Sequence, residues 1–585
     1  MILLIELLKK NYIKFFLIIW CCFLFNPIIF SGLLSDDGYN FQVGGKLIDE
    51  KINIFTLYIN ETYGWLRNSG RFFPLHWFVY FLNYYINDIL LLKIIIYLLN
   101  LTVLFLIFKL FSKYLKKEKT ALLAIILLPS IYFFRNEYDP IITWNGRIQL
   151  IYIFFILSLI YLLKFIKTEK KSNLYISYTC HFVSILFYEI SYLNFIILIL
   201  FSLILFKGKG IKYIFNLVKF YFIPPIILLL LGFWLRSKYS FWLIFDEEIK
   251  PSYPGVILDL NNYFNFFFSQ IKITFTGIIN LVSSNILNNL NIQDKFFFTI
   301  SFFFLVKIFL NICHDKINKN TICAVIFGFC FLVLPAAIIS SSQKYKQEFL
   351  ENSELIYANI YPQYIGMTIV ICVLLSLIYF KNIFLKYIFS IFLSLLVINC
   401  AIFTYGQNIR FNEDRNLKFK QVPYLIDSAI NKGIFNGLNE DTIILQNSNL
   451  PWDWYWFTAR KTKKIFKFCD FKNLFKENQC LNNKYYLDIK ELNKETFDID
   501  VKNFKIFAFY YYFTGDNGYV NLFKISKVQK NGDLKIFSYE VLEFNIHENK
   551  LVKKKLENEI NVIDFFTTSK LVNNHLLKKN KINLN

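Results

Sequence analysis

Two adjacent carboxylates stand where the first long apolar run of the chain ends, in the segment LLSDDGYNF. Asp36 and Asp37 are expected at the rim of a bilayer, beside a region of low dielectric constant. A carboxylate held there against a rigid helix end can act as a general base or bind a divalent cation. The plain alternative is a pair of solvated loop acids that end the helix, and position alone leaves both interpretations open.

Single charges stand between apolar runs in two further segments. Arg71, in NSGRFFPLHWF, precedes a predicted aromatic helix, where it can pair with one of the two carboxylates or bind a phosphate. It can equally be an interfacial anchor beside Trp77. Glu189, in LFYEISYLNF, falls near the end of a predicted span, which indicates either a polar cavity or a short turn with a helix-capping acid.

A dense group of charges occupies the segment RNEYDPIITWNGR between two apolar runs. Arg135, Glu137, Asp139 and Arg147 are typical of a site for a sugar and a phosphate, or of a surface network in which the charges pair with one another. The segment does not decide between the two.

The segment SSQKYKQEF carries Lys344, Tyr345 and Lys346 just after a span that is predicted to end at the outer face. Lysines on that side run against the usual excess of positive charge in the cytoplasm. They favour a site for an anionic ligand such as a lipid phosphate.

The elements that must position these residues are membrane helices, because composition excludes an ordinary soluble domain. The chain is 56% hydrophobic, and its mean hydropathy is +0.42, whereas soluble domains are about 45–50% apolar. The net charge of +22 comes from lysines in short clusters between apolar runs, so it indicates topology and not nucleic-acid binding. We expect a bilayer as the main partner.

Apolar runs predict about eleven transmembrane helices, each long enough for a hydrocarbon layer of roughly 30 Å. The first is read as a retained anchor because no small-residue cleavage site precedes Ser35. The long segment between the first two spans suits interfacial helices that lie along the membrane. The predicted spans are 12–34, 88–112, 120–134, 141–163, 174–190, 191–206, 217–236, 296–312, 321–340, 363–380 and 384–404.

The basic clusters predict the orientation of the chain in a bacterial inner membrane. Lysines before the first span place the N-terminus in the cytoplasm, and every later basic cluster falls on that same side. An odd number of spans then exports the C-terminus. The loops with predicted inner location are 113–119, 164–171, 207–212, 316–319 and 381–386.

After the helical part, 1–404, the composition shifts to mixed polar with β-type runs such as TIILQ, FKIFAFYYYF and YVNLFKI. We therefore expect residues 405–585 to form an α/β or mainly β domain outside the cytoplasm, in the periplasm. Cys469 and Cys480 are the two cysteines of this tail, and they form a disulfide or remain free thiols.

The sequence contains no HExxH or CxxC spacing, no phosphate-binding P-loop and no dinucleotide fingerprint. Its five histidines are scattered singly. These patterns give no support to nucleotide-driven chemistry or to a metal centre built from histidine and cysteine, although a divalent cation on the carboxylates stays open.

The layout resembles that of the C-type (GT-C fold) membrane glycosyltransferases, which use polyprenyl-phosphate sugars as donors. Four features carry the resemblance over residues 1–405: the acidic pair after the first span, the Arg/Pro aromatic helix before the second, the acid at the end of the fifth, and the basic outer loop before the last spans. The resemblance implies that Asp36 or Asp37 is the catalytic base or a metal ligand, with Asp37 less favoured because Gly38 follows it. It further implies a substrate-binding set of Arg71, Arg135, Asp139, Arg147, Glu189, Lys344 and Tyr345, in which Arg71, Arg147 and Lys344 hold the donor phosphate and Glu189 lines the sugar pocket.

The expected activity is transfer of a sugar, with inversion, from the lipid-phosphate donor to a glycan or lipid acceptor of the cell envelope. A transporter or flippase of lipid-linked oligosaccharide is the alternative from another class, and it predicts charges midway through spans and inverted repeats. A polymerase that uses similar carriers is closer, and a large outer loop late in the chain is its usual sign. A structural scaffold is the remaining alternative.

Overall fold

The computed structural model describes two parts of the chain. In the helical part it describes residues 2–34, 36–69, 71–82, 85–86, 88–206, 211–242, 259–279, 290–311, 316–342, 345–346 and 359–416. In the tail it describes residue 463 and the strands given below. The chain divides into two compact units, one of Met1–Asp37 with Phe55–Asp414 and one of Gly38–Ile54 with Arg415–Asn585.

The helices follow the apolar runs, because a backbone without water must satisfy its polar groups internally. The first seven are α1 (Ile2–Phe25), α2 (Asp36–Asp49), α3 (Ile54–Ser69), α4 (Pro74–Leu82), α5 (Ile89–Lys109), α6 (Glu118–Ile131) and α7 (Arg147–Thr168). The others are α8 (Lys171–Ile185), α9 (Phe195–Leu205), α10 (Ile211–Trp242), α11 (Leu260–Ile279), α12 (Ile292–Phe309), α13 (Lys319–Ser340), α14 (Ile360–Leu377) and α15 (Ile383–Asn416).

Six helical stretches of the described residues are long and apolar enough to cross a membrane. They are Tyr12–Phe30, Ile89–Tyr114, Trp144–Thr168, Lys319–Ser340, Ile360–Leu377 and Ile383–Glu413. Some of the other predicted spans coincide with shorter helices. The 14 residues of α6, for example, reach only about 21 Å at 1.5 Å per residue. The total of eleven crossings, their orientation and the side of the termini stay predictions.

Three of the loops with predicted inner location meet at one end of the helical unit. The ammonium of Lys167 donates a hydrogen bond to the carbonyl of Tyr114 at 3.3 Å, and the ammonium of Lys117 donates to the carbonyl of Lys316 at 2.9 Å. The lysine-rich ends of α5 and α7 and the loop before α13 therefore lie together, as a common side of the membrane requires.

The pair α13 and α14 packs through two glycines. A Cβ atom on Gly328 would lie 2.8 Å from the carbonyl oxygen of Gly366, and one on Gly366 would lie 2.6 Å from the backbone nitrogen of Leu332. Such contacts leave no room for a side chain, so the close approach of the two helices depends on both glycines.

The strands of the tail form one six-stranded sheet with the order β2-β1-β3-β4-β5-β6. The strands are β1 (Ile443–Gln446), β2 (Lys467–Asp470), β3 (Ile506–Tyr510), β4 (Tyr519–Asn531), β5 (Leu534–Asn545) and β6 (Lys550–Asn561). Strand β1 runs parallel to β2 and β3, and β3 to β6 are antiparallel to their neighbours. The extent and the location of the predicted 405–585 domain stay predictions, and Cys480 lies outside the described residues.

Candidate active site

Asp37 forms a fully buried ion pair with Lys93. The ammonium of Lys93, which is the fifth residue of α5, lies 2.6 Å from Oδ2 of Asp37, and both side chains are 0% exposed. Lys93 also donates to the carbonyl of Ile142 at 2.6 Å, and the backbone N–H of Asn145 donates to Oδ1 of Asp37 at 2.9 Å. Both carboxylate oxygens of Asp37 are therefore engaged in hydrogen bonds.

Asp36, its neighbour, is the first residue of α2. Its side chain lies outside the described residues. Because Asp37 is committed to Lys93, Asp36 is the member of the pair that stays a candidate for the general base.

A turn with a left-handed backbone connects Asp37 to Arg147. Trp144, Asn145 and Gly146 have φ angles of 64°, 53° and 74° in succession. This region costs roughly 1–2 kcal/mol for each residue with a side chain, so the surrounding contacts must hold the turn in place. The hydrogen bond from the Asn145 N–H to Asp37 is one such contact, and Arg147 follows directly as the first residue of α7.

Arg147 is buried among aromatic rings. Its side chain is 1% exposed, its Nε donates to the carbonyl of Trp144 at 2.7 Å, and its guanidinium lies 5.1 Å from the centre of the Tyr80 ring. Its Nη1 bonds to Nε2 of His76. The left-handed turn and the ring of His76 thus fix the direction of this guanidinium.

Arg71 and Glu189 form the second buried ion pair. Nη2 of Arg71 lies 2.8 Å from Oε1 of Glu189, and Nε lies 3.2 Å from Oε2, so the pair is bidentate. Tyr345 accepts a hydrogen bond from the same Nη2 at 3.4 Å and bonds to the hydroxyl of Tyr188 at 2.8 Å. Burial alone would lower the pKa of Arg71, but Glu189 and the two tyrosines raise it well above its usual range, and Arg71 stays charged.

A cleft begins at this ion pair, and its empty space is about 470 Å³ when the open solvent at its mouth is included. One part of its lining is polar and includes Arg71, Glu189, Ser341 and Ser342, whereas the other part is apolar and comes from α10 and the end of α13. A head group that carries charge and a hydrocarbon chain can bind side by side in such a cleft. The apolar lining residues are Leu228, Leu229, Gly232 and Ile338.

His76 connects the two arginines. Its ring bonds to Arg147, stacks on Tyr188 with 5.9 Å between ring centres, and lies 4.9 Å from the ring of Phe73. Burial and the charges of Arg147 and Arg71 lower the pKa of His76 well below its usual value, so the imidazole is neutral at neutral pH. The rings of Phe73 and Tyr188 each lie 5.1 Å from the guanidinium of Arg71.

The hairpin charges Arg135 and Asp139 belong to a different network. Asp139 accepts hydrogen bonds from the Tyr132 hydroxyl at 2.9 Å and from the backbone N–H of Ile141 at 3.1 Å, and burial raises its pKa to about 6. The guanidinium of Arg135 bonds to the hydroxyl of Tyr364. This arrangement favours the self-paired alternative for these two residues, and a substrate contact by them stays a prediction.

The predicted site residues thus fall into three groups. The first group is one cluster, in which the turn at Asn145 joins Asp37 to Arg147, and His76 and Tyr188 join Arg147 to Arg71. Its members are Asp37, Arg147, Arg71, Glu189 and Tyr345. Arg135 and Asp139 form the hairpin network, whereas Lys344 and the side chain of Asp36 lie outside the described residues. Among the described residues, no group of three histidine, cysteine or acidic side chains is placed to hold a metal ion.

Sequence reasoning missed four members of the cluster, namely Lys93, His76, Tyr188 and Asn145. A signal was available for Lys93, which is the one charge in the apolar run LLLKIII, because a charged residue inside a span is costly and indicates a partner. The others carry no comparable signal, since an aromatic residue or an amide near the membrane surface is common.

Known structures resemble the fold of this chain. No family model matches the sequence, and no curated protein matches it. The fold matches the crystal structure of ArnT from Cupriavidus metallidurans bound to undecaprenyl phosphate, with a TM-score of 0.40 and 10% identity, over 78% of this chain and 86% of that chain.

Proposed function

We propose that this protein is a membrane glycosyltransferase that transfers a sugar from a polyprenyl-phosphate donor to a glycan or glycolipid acceptor of the cell envelope. The observation that carries the proposal is the cleft headed by Arg71, in which a buried cation stands beside an apolar lining of α10 and α13. A lipid phosphate combines these two properties in one molecule. The sequence resemblance of residues 1–405 to the C-type glycosyltransferases supports the same conclusion.

The donor phosphate binds at Arg71, with Arg147 as the second cation of the cluster. The bidentate pair with Glu189 uses Nε and Nη2 of Arg71, so a phosphate oxygen binds at Nη1 through charge-assisted hydrogen bonds. Glu189 already holds Arg71 in a bidentate pair, so the guanidinium is oriented before the ligand arrives. This preorganisation lowers the cost of binding and stabilises the negative charge that the phosphate gains as it leaves.

The chemical step requires a base on the acceptor side. Asp36 removes the proton of an acceptor hydroxyl while that oxygen attacks the anomeric carbon, and the bond from this carbon to the phosphate oxygen breaks. The electron pair of that bond leaves with polyprenyl phosphate, whose added charge the arginines stabilise. Asp37 acts through the turn at Asn145, because its ion pair with Lys93 fixes the residues that lead to Arg147.

The transport alternative receives no support from Lys93, the buried charge that sequence reasoning missed. Lys93 lies about 6 Å along α5 from the start of the helix, and it is paired with Asp37. A translocation path requires charged groups at the centre of the membrane. The pair instead lies near the start of α5, beside the turn at Asn145 that leads to Arg147.

The test is a binding measurement with purified protein and two lipids, polyprenyl phosphate and uncharged polyprenol. Arg71→Met is expected to weaken binding of the phosphate by about tenfold or more, as loss of a charge-assisted hydrogen bond does. Lys109→Met, which removes a cation from α5 outside the cluster, is the matched control and should bind as wild type does. Equal affinity of wild type for the two lipids would refute the assignment of the cleft.

A further inference from the structure

The proton on the ring of His76 can be assigned from its contact with Arg147. A guanidinium has only N–H donors, so Nε2 of His76, which faces Nη1 of Arg147, must be the unprotonated acceptor. The imidazole is neutral, and its single proton therefore lies on Nδ1. The ring presents a defined N–H donor on the side away from Arg147.

This donor has no hydrogen-bond partner among the described residues. The side chain of His76 is 6% exposed, and a buried donor without an acceptor costs about 1–3 kcal/mol. Packing among aromatic rings does not need a histidine with a buried donor, because the neighbouring positions 72, 73, 77 and 78 carry phenylalanine or tryptophan. An acceptor supplied by a ligand would remove the cost.

The surrounding charges determine what kind of acceptor fits. Arg147 bonds directly to His76. Arg71 lies near it, because the rings of Phe73 and Tyr188 contact both His76 and the guanidinium of Arg71. Two guanidinium groups favour an anionic oxygen over a neutral one. A neutral N–H adds a hydrogen bond to such an oxygen without a third positive charge in the same buried space.

We propose that the Nδ1–H of neutral His76 donates a hydrogen bond to a phosphate oxygen of the ligand that Arg71 holds. The inference rests on the proposed function for the identity of that ligand as a lipid phosphate. The assignment of the donor itself depends only on the contact with Arg147.

Two substitutions separate this role from a structural one, because each keeps a different half of the imidazole. His76→Gln can place an acceptor oxygen near the position of Nε2, so it keeps the contact with Arg147 and loses the donor. His76→Asn can place an amide N–H near the position of Nδ1, so it keeps the donor and loses the contact with Arg147.

The measurement is the affinity of the purified full chain for polyprenyl phosphate, with inorganic phosphate as competitor and uncharged polyprenol as control. We expect His76→Gln to lose about tenfold to a hundredfold in affinity for the lipid phosphate, the range for a hydrogen bond to a charged group. His76→Asn should regain most of that loss, although it should unfold more easily than His76→Gln. Affinity for polyprenol should be unchanged in both variants.

The possible outcomes separate this inference from the proposed function. If wild type binds polyprenyl phosphate and His76→Gln binds it equally well, or better than His76→Asn does, the role of His76 is refuted and the lipid-phosphate site stands. If inorganic phosphate alone shows the dependence on His76, the donor is confirmed and the lipid carrier is refuted. If wild type binds neither phosphate, both the inference and the proposed function fail.

Discussion

The ion pair between Asp37 and Lys93 is the feature whose removal has the largest predicted effect on stability. Lys93→Met removes the ammonium and keeps a long apolar side chain in α5. The Asp37 carboxylate would then remain buried without the ammonium that neutralises its charge. An uncompensated charge in such a position is unfavourable, because water cannot solvate it.

The magnitude follows from the burial of both partners. Removal of one partner of a buried ion pair costs about 3–5 kcal/mol. The pair has a separation of 2.6 Å and no solvent exposure, and Lys93 additionally loses its bond to Ile142. We therefore expect a decrease in the free energy of unfolding of about 4 kcal/mol.

The assay is denaturant unfolding of the detergent-solubilised protein, with a double variant as the decisive sample. Asp37→Asn removes the charge and keeps an acceptor for the Asn145 N–H, so Lys93→Met with Asp37→Asn should recover about 2 kcal/mol relative to Lys93→Met alone. Lys109→Met is the control for the same chemical change elsewhere in α5, and it should lie within about 0.5 kcal/mol of wild type. A double variant whose loss equals the sum of the two single losses would refute the coupling.

Three other predictions concern backbone strain, helix packing and pH. Asn145→Gly should be about 1 kcal/mol more stable than Asn145→Ala in the same unfolding assay, because glycine adopts the φ of 53° without a steric cost. Equal stabilities of the two variants would contradict the claim that the turn is strained at this position. Gly366→Ala should destabilise the protein by about 1–3 kcal/mol, because a Cβ there would separate α13 and α14. Gly64→Ala is the control: a Cβ at this position of α3 meets nothing within 4 Å, so this variant should be as stable as wild type or up to about 1 kcal/mol more stable. Burial raises the pKa of Asp139 to about 6, so the native state binds the proton of this carboxyl more tightly than the unfolded state does. The carboxyl therefore lowers the free energy of unfolding as pH rises from about 4 to 6, by up to about 1.4 kcal/mol per pH unit. Asp139→Asn should lack this slope, and an identical slope in the variant would show that another group is responsible.

Local patterns made most of the helical part predictable from the sequence. An apolar run of about twenty residues has few structures available in a bilayer, so hydropathy alone places the long helices α5, α7, α13 and α14. Where helices are short, as in α6, hydropathy predicts an apolar segment but does not decide whether it crosses the membrane. The carboxylate pair and the isolated Arg71 and Glu189 were also visible as charges in apolar surroundings.

The pairing of these charges was not predictable, because it depends on contacts between residues far apart in the sequence. Asp37 meets Lys93 across 56 positions, and Arg71 meets Glu189 across 118. No local pattern encodes such partners. The left-handed turn was also not predictable from the sequence, because asparagine and glycine favour a left-handed backbone but the tryptophan at Trp144 does not.

The proposed function assigns sugar transfer to this cluster, with Asp36 as the base. The most direct test compares the glycan composition of the cell envelope in cells with wild-type protein, Asp36→Asn or Asp37→Asn, at matched protein levels in the membrane. We expect Asp36→Asn to remove a sugar while the protein remains folded, and Asp37→Asn to act mainly by lowering stability. Glycans that are unchanged in Asp36→Asn, but changed when the whole protein is deleted, would contradict the assignment of Asp36 as the base.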